Sequence, residues 1–156
     1  MTEAVVAGAF AVAALNALPG LLGAWVWHRG DPAAEQSATR AFWLMLRVGQ
    51  GSALTLAIAV GSLAAAGHES KEQLFYLYAL LPLAVAFVAE QLRVTSAQTI
   101  LDQQGLESAQ AVGTLSESEQ RSIVSAVLRR EVGVMALSAL VVVFLALRAA
   151  GTAHGF

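Results

Sequence analysis

An all-α integral membrane protein, built as a bundle of four transmembrane helices with cytoplasmic extensions of helices 2, 3 and 4, is the fold class that three observations predict. The 156 residues are 57% hydrophobic and 13% charged, with a mean hydropathy of +0.64, against roughly 45–50% apolar and 25% charged in ordinary soluble domains. The apolar residues fall into four blocks, and a helix needs about 20 such residues to cross a hydrocarbon layer. Lys and Arg stand at the ends of those blocks and form no basic surface. A single membrane domain over residues 1–156 follows, with no separate soluble one.

The first span is expected over about 4–28. Ala4 to Trp27 holds no charged residue in 24 positions, roughly 36 Å of helix. Glu3 is the only charge before it and the basic flank, Arg29, comes after, so a retained span is expected and not a cleaved signal peptide. The segment HRGDP then stops the helix: Gly30 suits a left-handed C′ position, Asp31 can cap a new helix and Pro32 fits its first turn. The second helix is predicted from Pro32 to Ala66, with its membrane part over about 40–66. Its amphipathic beginning carries Glu35, Arg40 and Arg47, and should project from the membrane.

GHESKEQ, Gly67 to Gln73, reads as a polar turn. The third span, about 73–95, has only 16 uncharged residues from Leu74 to Ala89, roughly 24 Å, so a full crossing takes in Glu90 and Arg93. The helical pattern continues beyond it, with Val94, Ala97, Ile100 and Leu101 on an apolar stripe and Gln91, Thr95, Gln98 and Asp102 on a polar one. Gly105 is the predicted stop. A cytoplasmic connection covers about 96–127, with a short helix at Leu106 to Val112 ended by Gly113. Ser116 to Glu119 has the S-x-x-E form of a capping box and should start the last helix. Ile123, Val124, Val127 and Leu128 form its inner face outside the membrane. Its span runs over about 128–149.

Seven basic residues (Arg29, Arg40, Arg47, Arg93, Arg121, Arg129, Arg130) fall on one side and two (Lys71, Arg148) on the other. The excess of Lys and Arg stays cytoplasmic, so both termini are expected outside the cytoplasm. Trp25, Trp27 and Trp43 then lie near the inner interface, and Phe75, Tyr76 and Tyr78 near the outer one. Arg outnumbers Lys eight to one and alanine is abundant, a composition that hints at a GC-rich bacterial genome, and a bacterial plasma (inner) membrane is the expected location.

Heights along the helices locate a candidate site. Counting inward from the outer boundary, Gly67 to Arg47 is roughly 30 Å, while Leu74 to Glu90 and Leu147 to Glu131 are roughly 24 Å each. Arg47, Glu90 and Glu131, with Gln50, Gln91, Arg93 and Arg130 nearby, are therefore ligand or ion-pair candidates at the cytoplasmic boundary. Ionisable groups there pair with one another, snorkel to headgroups, or mark a functional cavity. Arg47 with Glu90 is the first pair expected. Asn16 is the one strongly polar side chain deep in the first span. It reads either as hydrogen-bonding glue between helices or, with Pro19, as part of a kinked cavity wall; Pro82 carries the same ambiguity. Gly49, Gly51, Thr55 and Ala59 give the second helix a small-residue face.

Other chemistry is excluded or unsupported. There is no cysteine, hence no disulfide, thiolate nucleophile or Cys-ligated metal. His28, His68 and His154 share no ligand spacing. No nucleophile elbow, P-loop or HExxH occurs. No catalytic residue, metal or cofactor is assigned. A net charge of -2 without a basic face argues against nucleic acid.

Two functions are carried forward. The first is a small polytopic, non-enzymatic subunit, scaffold or transport-related component, with lipids and either a second copy or another membrane protein as partners. The alternative is a membrane-embedded enzyme on an amphipathic or lipid-like substrate. In architecture, the four spans and cytoplasm-facing charges resemble the trimeric membrane glutathione-transferase and eicosanoid-synthase family. The second-helix Arg-Ala and Asn/Glu constellation expected there is not reproduced around Arg40-Ala41, so membership is not assigned.

Overall fold

The computed structural model describes residues 2–68, 70–106 and 109–153. Glu69 of the polar turn, Glu107 and Ser108 of the expected short helix, and His154 lie outside the described residues. The elements are helices α1 (Thr2–Arg29), α2 (Gln36–Ala65), α3 (Gln73–Gln103), α4 (Ala109–Val112) and α5 (Glu117–Thr152). Among the described residues, α1, α2, α3 and α5 are long and apolar enough to cross a membrane. At 31 and 36 residues, α3 and α5 measure roughly 46 and 54 Å, more than the ~30 Å of a hydrocarbon core.

Local chemistry explains most of the boundaries. Gly30, Gly67 and Gly105 take positive φ values of 86°, 80° and 69° just beyond α1, α2 and α3, a conformation that costs a Cβ-bearing residue and suits glycine. Ser116 caps α5: its hydroxyl accepts from the Glu119 amide, and the Glu119 carboxylate accepts from the Ser116 amide. The start of α2 differs from expectation. Asp31 spends its carboxylate on the amides of Ala33 and Ala34 in one isolated turn, and the helix proper begins at Gln36 behind Glu35, which makes no side-chain cap. The short helix α4 is likewise confined to Ala109–Val112, within the longer stretch expected. Helices α1 and α3 run unbroken through the buried Pro19 and Pro82.

The long helices alternate in direction, and each packs chiefly on two neighbours. Helix α5 lies against α1 and α3, α1 also against α2, and α2 touches α3 only sparingly. Three apolar layers stack along the axis. The first gathers Val5, Val60, Phe75 and Ala149, and the third Val26, Phe42, Ala89 and Met135. The middle one is narrow, built from Val12, Ala13, Ala53, Val142 and Ala146. Small side chains let helix backbones approach, which matters where surrounding lipid would be as apolar as the core and adds no drive to burial. Gly23 is one such place, where a Cβ would stand 2.5 Å from the Phe42 ring and 2.7 Å from the Ala136 methyl.

Large apolar side chains also face outward. Leu21, Leu44, Phe87, Leu137 and Phe144, drawn from all four long helices, are each about two-thirds exposed. Soluble monomers rarely show contiguous apolar patches beyond a few hundred Å².

Candidate functional site

The polar groups concentrate where α2 and α3 pack least. Helix α2 presents Trp43, Arg47 and Gln50 at i, i+4 and i+7, one face of a helix. Helix α3 answers with Glu90 and Arg93 at i, i+3, a spacing that brings side chains together. Arg47 Nη1 donates both to Glu90 Oε1 and, at 2.6 Å, to Gln50 Oε1. Gln50 Nε2 lies 3.4 Å from the same Glu90 oxygen, and Arg93 Nε donates to Glu90 Oε2 at 2.8 Å. Arg93 extends the chain to α5, its Nη1 lying 3.9 Å from Glu131 Oε2. Its guanidinium also sits 5.5 Å from the centre of the Trp43 ring, within cation–π range.

The result is an alternating row, Arg47–Glu90–Arg93–Glu131, that links three helices and has no net charge. Both oxygens of Glu90 accept from cationic or amide donors, the charge-assisted kind of hydrogen bond. The side chains of Arg47, Glu90, Arg93 and Glu131 are 51, 24, 30 and 17% exposed. Arg47 at the α2 edge is the most exposed and Glu131 on α5 the least, so the Arg47 link is screened like a surface pair while Glu131 is sheltered.

Of the sequence candidates, Arg47, Gln50, Glu90, Arg93 and Glu131 come together here. Gln91 and Arg130 do not: each is exposed on the outside of its helix, about 100° round from its neighbour Glu90 or Glu131. Asn16 stands apart, only 2% exposed between α1 and α2. Its Nδ2 donates to the carbonyls of Val12 (2.9 Å) and Gly49 (3.2 Å), tying the helices backbone to side chain. The small-residue face of α2 splits accordingly. Gly49 is buried against Asn16, whereas Thr55 and Ala59 line a groove of about 530 Å³ open on the α1–α2 surface. That groove and two others, of about 430 and 460 Å³, are lined by neither Asn16 nor Glu90.

A second set of polar contacts fastens the α1–α2 connection to α5. Ser125 Oγ donates to Asp31 Oδ1 at 2.9 Å, and this bond, with help from the Ala33 and Ala34 amides and the charge of Arg121, holds the Asp31 carboxyl below its ordinary value against some desolvation. Arg129 Nε donates to the Trp27 carbonyl at 3.3 Å, with its guanidinium 5.2 Å from that indole's centre. A cation at the carbonyl end of α1 is favourably placed for the helix dipole. Trp43 as a platform and Ser125 as a latch were not singled out by sequence. The first could have been found from its i, i+4 relation to Arg47; the second has no local signal.

Among the described residues, no three His, Asp or Glu side chains group as a metal site. No family model, curated protein or solved structure matches the chain, so geometry carries the functional reading.

Proposed function

We propose that the chain is a four-pass integral protein of a bacterial plasma membrane that serves as a non-enzymatic subunit or scaffold, with the charge layer as its structural clasp. The exposed apolar belt on all four long helices supports the membrane placement. The uneven distribution of basic residues supports an orientation with both termini outside and the extensions of α2, α3 and α5 in the cytoplasm. The engagement of both Glu90 oxygens by Arg47, Gln50 and Arg93 carries the assignment. Groups held for transport or catalysis would face an open cavity, whereas these close the loosest seam of the bundle. Asn16, sealed by Val12 and Gly49, gives no polar continuation across the membrane. The cytoplasmic ends of α3 and α5, with the 96–127 connection between them, are then the part available to a membrane-protein partner or a second copy.

Arg47→Gln and Glu90→Gln, made singly and together, test the clasp by reversible unfolding in mixed micelles. Each single change should destabilise, and the double should lose less than the sum, with a coupling of about 0.5–1 kcal/mol for a partly exposed pair. Strictly additive losses would reject the clasp.

A further inference from the structure

Helix α5 carries an outward ridge, Arg130, Val134, Leu137, Val141 and Phe144, at spacings of four, three, four and three residues, which keeps them on one face. A groove runs down each side of it. The α1–α5 groove, about 460 Å³, is lined by Ala24, Trp27, Gly133 and Leu140 together with Arg130. The α3–α5 groove, about 430 Å³, is lined by Val85, Val88, Leu92 and Val141. Val134 and Leu137 border both, so the two channels diverge from one crest.

The crest begins at a cation. Among the described residues Arg130 makes no ion pair, hydrogen bond or ring contact, while its neighbour Arg129 is engaged by Trp27 and Arg93 by Glu90 and Glu131. The indole of Trp27, 46% exposed, flanks the same mouth, and indoles favour the level of lipid headgroups. Gly133 seats that indole against α5, because a Cβ there would stand 2.8 Å from the Trp27 ring.

We propose that this face of α5 holds one anionic two-chain phospholipid, with its phosphate on Arg130 and one acyl chain in each groove. A guanidinium matches phosphate geometry with paired N–H donors. Paired apolar channels starting below a single unpaired cation fit the one ligand class that combines a negative head with two hydrocarbon tails. Such a lipid would cover the ridge that the other three helices leave bare. The assignment rests on the membrane placement proposed above but not on the absence of catalysis.

Trp25→Phe with Trp43→Phe leaves Trp27 as the only indole, beside the α1–α5 groove. In phosphatidylcholine vesicles doped with phosphatidylglycerol brominated on its acyl chains, Trp27 fluorescence should be quenched at about fivefold lower dopant than with brominated phosphatidylcholine, the size expected for one arginine beside an anionic headgroup. Arg130→Gln should abolish that preference, and Arg121→Gln, an exposed arginine on the extension, should keep it. Equal quenching by the two lipids, or a preference that survives Arg130→Gln, overturns the site while leaving the membrane placement intact. Absence of quenching by either lipid overturns both.

Discussion

Gly49→Ala probes the buried hydrogen bond that Asn16 makes between α1 and α2. An added Cβ would lie 2.8 Å from Asn16 Oδ1 and 3.0 Å from Cγ, and the amide cannot swing clear because Nδ2 is tied to the Val12 and Gly49 carbonyls. Either α1 and α2 separate or the interhelical bond breaks. A hydrogen bond between membrane helices is worth about 0.6 kcal/mol on average and up to ~1.7, and overpacking adds roughly 1–3 kcal/mol. Against this, alanine gains about 1 kcal/mol over glycine in a helix. The net expectation is a loss of about 1–3 kcal/mol. In an Asn16→Ala background the obstructing amide is gone, so Gly49→Ala should there be neutral or stabilising by up to about 1 kcal/mol. Reversible unfolding in dodecylmaltoside–SDS mixtures, followed by indole fluorescence and circular dichroism, measures all four corners of the cycle. An equal cost of Gly49→Ala in both backgrounds would refute the packing described here.

Three further outcomes are expected. Gly23→Ala, which meets Phe42 and Ala136, should cost roughly 1–3 kcal/mol, whereas Gly51→Ala, with nothing within 4 Å, should be neutral or mildly stabilising; the same denaturation series reads both. Because the folded Asp31 carboxyl titrates below its unfolded value, its contribution to stability is complete above the ordinary carboxylate range and disappears as pH falls through the lowered folded value. Ser125→Ala removes the largest cause, and a carbon-detected NMR titration should then show the Asp31 midpoint rising toward the ordinary value; an unmoved midpoint would discount the latch. The chain lacks cysteine, so single-cysteine variants report topology cleanly. An impermeant maleimide applied to intact cells should label His68→Cys and spare Ser37→Cys, and the reverse pattern would invert the orientation.

What the chain reveals before folding is what its neighbours along the sequence decide. The S-x-x-E start of α5 and the glycines beyond α1, α2 and α3 are local devices, visible because their partners lie within four residues. Asp31 misled for the same reason, since its capping chemistry operates but on a single turn that does not propagate into α2. Depth is also legible, because rise per residue is fixed: chain length alone sets Arg47, Glu90 and Glu131 at related heights. Direction around the helix is harder, as Gln91 and Arg130 illustrate. Each shares its neighbour's height yet points to the outside, and only packing decides which flank of a helix turns inward. The Asp31–Ser125 bond and the close fit of Gly23 against Phe42 join residues far apart in sequence, and no periodicity announces them.

Helix α5 packs on α1 and α3, both of which precede it in the chain. Until it arrives, α1 has only α2 beside it, and Gly20, which packs against Leu140 of α5, is left uncovered. Assembly therefore depends on contacts distant in sequence, which slows closure. A chain interrupted before α5 would leave α1 and α3 without the helix on which each packs most extensively.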